Sequence, residues 1–236
     1  MLFVHEFLPT SSVMVLHDRF VVSGSVECEI ERLWKMEQQR RAKPLVNGNI
    51  LSAVSVSPLR ILGRIAEYRH FIAQRARPEL FEELRIRPVA VSGLLECADG
   101  LVFGRRAEGV TQEPRSWELV PSGGIDPNGL TATEGTGYLS QLLKELREEI
   151  GVESDSVSKT TPFCLVDDPD THVLDIGVAM LSSLSGRTLH DLHRDTGSTE
   201  YGEIRVVPIA QIEAFIGNAS LQLVPVSALL IQQFLQ

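Results

Sequence analysis

The sequence is short of cysteine and of positive charge, and it has no long apolar run. Its three cysteines, Cys28, Cys97 and Cys164, are far apart and form no CxxC pair. That argues against a zinc site and a disulfide framework, and leaves reduced, partly buried thiols as the expectation. No apolar segment reaches the roughly 18 residues that a membrane-spanning helix needs. The start, Met1-Leu2-Phe3-Val4-His5-Glu6, lacks the basic residues of a secretory signal, so the expected location is the cytoplasm. Lys and Arg total 22 against 31 Asp and Glu, a net charge of -9. Such a chain repels nucleic-acid backbones and anionic membranes, and neither is an expected partner. Internal repeats and low-complexity stretches are also missing. What is present is 236 residues, 43% of them hydrophobic, enough for one large domain or a compact domain with a smaller one. An acidic protein that acted on phosphates would need cations to offset the repulsion, and divalent metals are the obvious choice.

Three regions differ in texture. Residues 1–86 form a small α+β region, expected to shape a substrate pocket or a dimer contact. Within it, Ser25 to Arg41 has helical spacing, with Val26, Ile30, Leu33, Trp34 and Met36 set among charges. Asn47-Gly48 signals a turn, Ile50–Val56 and Leu59–Ile65 suggest strands, and Arg64–Arg77 and Pro78–Leu84 suggest helices. Residues 87–236 are expected to form the main domain. Val89–Leu95 and Leu101–Gly104 predict strands about an Ala98-Asp99-Gly100 hairpin turn, and Trp117–Val120 predicts another, closed by Pro121-Ser122-Gly123-Gly124. Gly137–Ile150 predicts a helix stopped by Gly151. Strands are expected at Thr161–Val166, Thr171–Leu181 and Glu203–Val207, a polar loop at Ser185–Gly197, and a terminal helix from Ile209 to Ile216.

The helix at Gly137–Ile150 carries the chemistry. On a helical wheel Leu139, Leu142, Leu143, Leu146 and Ile150 share one stripe, which must face a core. Glu145, Glu148 and Glu149 gather in an arc of roughly 100° beside it. Carboxylates so placed repel one another unless something positive sits over them. Mg²⁺ and Mn²⁺ are suited to that task, because they prefer oxygen ligands and bridge carboxylates to phosphate oxygens. Lys144 and Arg147 lie off the arc and are expected to brace the helix rather than neutralise it. A solvated acidic helix face is the bland alternative.

The run Lys144-Glu145-Leu146-Arg147-Glu148-Glu149-Ile150-Gly151-Val152 closely resembles the second half of the Nudix box, R-E-U-x-E-E-x-G-U with U a bulky aliphatic residue. Only the first position departs, with lysine for arginine. Trp117–Gly124 is similar to the strand and glycine turn that lead into the box. The spacing departs further. Gly124 lies twenty residues before Lys144 where the family has fourteen, and the box's first glutamate falls on Thr136, with Glu134 nearby. Lysine cannot make the bidentate fork of arginine, so the departures concern how the loop is braced more than the metal site.

The resemblance covers residues 88 to 216 and implies an α/β (α+β) fold: a Nudix-type α/β/α sandwich with a mixed sheet. It also implies a Mg²⁺-dependent hydrolase, with Mn²⁺ as an alternative ion, acting on a small nucleotide. Glu145, Glu148, Glu149 and the carbonyl of Gly123 match the family's metal ligands. The general base is expected from the box, as Glu148, or from Glu200 or Glu203 downstream. Arg105 and Arg106 are expected to hold substrate phosphates, since their fork suits phosphate oxygens. His172 and Asp175, three apart on an expected strand, point to opposite faces and are not paired. Leu33-Trp34, Leu45-Val46-Asn47-Gly48, Tyr68-Arg69 and Ser92–Leu95 resemble members that hydrolyse UDP-sugars to UMP and a sugar phosphate. ADP-ribose or dinucleotide hydrolysis is the runner-up, with a nucleoside triphosphate third. A non-catalytic nucleotide-binding module, or an unrelated α/β protein with an acidic helix, are the other classes.

Overall fold

The computed structural model describes residues 1–16, 20–41, 44–110, 113–130, 135–196, 198–218 and 220–236. Glu134, weighed above as a substitute for the box's first glutamate, lies outside the described residues. Residues 1–86 supply β1 (Phe3–Glu6), β2 (Ser12–Leu16), α1 (Gly24–Gln39), β3 (Asn49–Ser57), β4 (Arg60–Glu67), α2 (Tyr68–Ala76) and α3 (Phe81–Leu84). Then follow β5 (Val89–Cys97), β6 (Gly100–Arg106), β7 (Trp117–Leu119), β8 (Ser122–Gly124), α4 (Gly137–Ile150), β9 (Val157–Asp167) and β10 (Leu174–Ser182). The chain closes with α5 (Gly186–Thr196), β11 (Tyr201–Val207), α6 (Ile212–Ile216) and α7 (Pro225–Phe234).

The nearly unbroken apolar runs of β5 and β10 mark strands covered on both faces. They lie side by side, parallel, at the centre of a mixed sheet of order β1-β9-β10-β5-β6-β11. The short strands β7 and β8 pair with β6 and β5. On one face lie α4 and α5, whose Tyr138, Leu142, Leu146, Ile150 and Leu189 are buried against Val91, Leu95 and Ile176. On the other lie α6 and α7, with Ile212, Leu230 and Ile231 packed on Phe103, Leu119 and Val166. The fold is therefore α/β, a mixed sheet between helices. A second sheet, β2-β4-β3, packs into the first of these cores through Val13, Leu51 and Ile61. Three strands cannot bury their apolar face alone. The expected division at 86/87 is also crossed by β1, which pairs along β9 with Phe3 opposite Asp167. Among the described residues, no helix is long and apolar enough to cross a membrane.

Three local expectations are corrected. Residues 186–196 are helical, not a loop: Ser185 caps the first turn through its Oγ on the Thr188 N–H, and Leu189 is fully buried. The helix expected from Arg64 begins at Tyr68, because β4 continues to Glu67. His172 is not in a strand but in the β9–β10 turn at φ 62°, with its ring stacked on Phe81 at 3.7 Å.

Candidate active site

Helix α4 begins and ends where the sequence places it, and Gly151 at φ 75° forms the left-handed cap that ends it. Burial of the leucine stripe fixes the roll of the helix. That roll turns Glu149 inward, 5% exposed, and sets Glu145 half-buried one turn before it. Both face the β8 turn. The Ser122 N–H donates to Glu149 Oε2 at 3.3 Å. A Cβ added to Gly123 would stand 2.8 Å from the Glu145 carboxyl carbon, so only glycine permits this approach. Gln141 Nε2 donates to Glu145 Oε1 at 2.5 Å. Glu148 is turned outward, 49% exposed, with Lys144 Nζ 3.8 Å away. Lys144 thus sits near one member of the acidic arc, contrary to the expectation from the wheel, because its long side chain reaches the next turn.

Neither Glu145 nor Glu149 forms an ion pair among the described residues. Burial, first, and then the neighbouring carboxylates raise the pKa of both: Glu118 and Glu145 act on Glu149, and Glu148 acts on Glu145. The rise for Glu149 is large. Beside this pair, Arg106 Nη1 donates to Glu118 Oε1 at 2.5 Å and Arg106 Nη2 lies 3.1 Å from Glu200 Oε1. The buried Tyr201 hydroxyl donates to the same Glu118 oxygen at 2.9 Å. Burial also raises Glu118, and the adjacent arginine opposes this.

A cleft of about 410 Å³ opens from the Ser122–Gly124 turn. Its floor is β5 and β10, where Ser92 Oγ donates to Asp175 Oδ2 at 3.1 Å and lies 3.0 Å from Ser122 Oγ. Its far wall is Ile50, Tyr68 and Phe71 from the N-terminal region, and α7 closes another side with Val226 and Ser227. Asp175 is buried, and desolvation pushes its carboxyl up to about 7.

No family model and no curated protein matches the chain. Among solved structures, the Nudix domain of Shewanella oneidensis NrtR, determined with ADP-ribose, is similar at 14% identity over 67% of this chain and 96% of its own, with a TM-score of 0.45. A Deinococcus radiodurans protein, DR0079, is similar at 15% identity over 62% of this chain and 83% of its own, also with a TM-score of 0.45. A Nudix hydrolase from Nitrosomonas europaea follows at 13% identity over 62% and 87%, with a TM-score of 0.39.

Of the residues expected from the sequence, the structure brings together Glu145, Glu149, Gly123, Arg106 and Glu200, with Glu148 at the rim. Glu203 is not among them: it is exposed and bonded to Arg205 at 3.1 Å, because the irregular register of β11 at Tyr201–Glu203 turns it outward. Arg105 is likewise outside, donating to the Arg115 carbonyl on the opposite face of β6 from Arg106. Arg106 is present but committed to two carboxylates. Among the residues of the UDP-sugar likeness, Tyr68 lines the cleft, whereas Arg69 donates to Asn47 and Glu67 and braces the start of α2. Glu118, Tyr201 and the Ser92–Asp175 pair were not singled out by sequence reasoning. Their signal is pairing across strands, which spacing along the chain does not contain.

Proposed function

We propose that this chain is a Nudix-type hydrolase that uses Mg²⁺, or Mn²⁺, to cleave the diphosphate linkage of a nucleoside diphosphate joined to a second group. A UDP-sugar, giving UMP and a sugar phosphate, is the first substrate of choice. One observation carries the reading. Two carboxylates a helical turn apart, Glu145 and Glu149, are held against a glycine turn with no counter-cation of their own among the described residues. Leaving charges buried in this way is costly unless they are protonated or covered by a cation.

The donor set fits a hard divalent ion. It offers carboxylate oxygens and a backbone carbonyl and no sulfur or imidazole. Among the described residues no three acidic side chains already stand in ligand geometry, so the fit rests on donor chemistry. Glu145, Glu148, Glu149 and the Gly123 carbonyl would hold the ion. Bound there, it would neutralise diphosphate oxygens and make a coordinated water acidic. The remaining work falls to the chain. Helix α4 fixes the two inner carboxylates, and the Gln141 amide orients Glu145. Glu118 and Tyr201 hold the Arg106 network in place at the cleft edge, and a substrate phosphate would have to share Arg106 with Glu118 and Glu200. Glu200 lines the cleft and is the proposed proton acceptor, with Glu148 as the alternative.

The test is phosphate-bond cleavage of UDP-glucose, ADP-ribose and UTP, each with Mg²⁺, with Mn²⁺ and with chelator. Metal-dependent turnover of a diphosphate-linked substrate is the expected result. Tight binding of one of them without turnover would replace the enzyme by a nucleotide-binding module.

A further inference from the structure

The cleft beside the Gly123 turn has an uneven charge. Among the described residues, five acidic ones line it, Glu113, Glu118, Asp168, Asp175 and Glu200, against a single basic one, Arg106, which Glu118 and Glu200 already engage. The carboxylates of α4 lie just behind this lining, Glu149 on the Ser122 N–H and Glu145 against Gly123, so a cation held by them would act at the turn end of the cleft. The floor has a second peculiarity. Asp175 is 8% exposed, and its Oδ1 has no hydrogen-bond partner, while Oδ2 accepts only from Ser92. A buried carboxyl with an unused oxygen at the floor of a cavity is an unfilled hydrogen-bonding position. Ser92 and Ser122 continue that row to the turn. Facing it, the half-buried Tyr68 offers ring surface, with the buried Phe71 behind it.

A polar, nearly cation-free floor opposite aromatic carbon is suited to a ring with hydroxyls on its edge and C–H groups on its face. It is unsuited to a further anion, because like charges brought together with little solvent between them are strongly disfavoured. We infer that this cleft takes the uncharged, hydroxyl-bearing sugar of the substrate, with the Asp175–Ser92–Ser122 row reading its hydroxyls, and that it rejects the anionic counterpart of the same sugar. The inference rests on the diphosphatase reading for the place of the diphosphate. It adds a selectivity which that reading does not contain.

The test compares two pairs of compounds that differ by one anionic group. UDP-glucose and UDP-glucuronate place it on the hexose. ADP-ribose and its 2′-phosphate place it on the ribose of the nucleoside. Dissociation constants are measured by calorimetry on the wild type with Ca²⁺, which takes the same oxygen ligands, in place of Mg²⁺, and kcat/KM on the wild type with Mg²⁺. The member whose sugar is uncharged is expected to bind about tenfold or more tightly in at least one pair, and Asp175→Ala is expected to narrow that difference by weakening this member and relieving the repulsion of its anionic partner. Equal affinities within both pairs, or no binding of any of the four, would overturn the inference, whatever the turnover. A kept preference in binding with no turnover of any compound would support the cleft's selectivity and overturn the hydrolase reading alone.

Discussion

Replacing Asp175 by asparagine should make the protein more stable at neutral pH, and the gain should vanish in acid. The carboxyl is buried on β10 and, among the described residues, has one hydrogen bond and no ion pair. Desolvation therefore favours its protonated form and lifts its pKa from 3.8 to about 7, with the Ser92 hydrogen bond opposing the shift and Glu118 adding to it. For a carboxyl raised on folding, the folded state is favoured while the group is protonated. Stability is lost as pH climbs from the unfolded value towards the folded one, here between about 4 and about 7. The full shift corresponds to roughly 4 kcal/mol, of which about two-thirds develops above pH 5. Asparagine keeps the shape and carries no charge, so the variant escapes this loss. Thermal melts of the two proteins at pH 5 and pH 8 should diverge by on the order of 5–10 °C at the higher pH relative to the lower, for a chain of this size. Parallel melting curves over that range would show that Asp175 ionises freely, and would refute the claim that burial desolvates it.

Gly123→Ala should push the Glu145 carboxylate out of place, since the new methyl would stand 2.8 Å from its carbon; because it meets the end of a flexible side chain, urea unfolding should change by about 1 kcal/mol at most while metal-dependent turnover is lost. Arg106→Met strands the buried Glu118 without its cation, so a destabilisation of about 3–5 kcal/mol is expected, and adding Glu118→Gln should recover part of it in the same unfolding assay. Steady-state kinetics should separate two glutamates: Glu200→Gln should lower kcat by about a hundredfold if it accepts the proton, whereas Glu203→Gln, bonded outward to Arg205, should not. Equal losses in the two variants would contradict the placement of Glu203 outside the cleft.

The legible parts of the fold are those whose signal is local. Helix α4 is readable to its end residues because a five-residue apolar stripe and a terminal glycine specify it together. The β5–β6 hairpin is readable from Asp99-Gly100 between apolar runs. Helix α5 is not, because Gly186 and Leu189 are its only buried residues among arginines, histidines, aspartates and threonines. Strand β1 is four residues long and finds its partner at Asp167, far along the chain, so periodicity had nothing to act on. The site divides in the same way. Glu145 and Glu149 share a helix, and spacing alone puts them on one face. Glu118 and Tyr201 meet across the sheet, 83 positions apart, and Asp175 meets Ser92 at the same separation. Arg105 and Glu203 lie outside the cleft for a related reason. Strand alternation and the β11 irregularity decide which of two neighbouring charges faces the cleft, and both depend on registers set by distant partners.

The most direct measurement is calorimetric titration of Mg²⁺ into the wild type and into Glu149→Gln at neutral pH. If a cation is what offsets the two inward carboxylates, the wild type should bind the ion at the Glu145–Glu149 pair. The glutamine variant should bind about tenfold more weakly or worse and lose its turnover. Equal affinity in the two proteins would contradict the account.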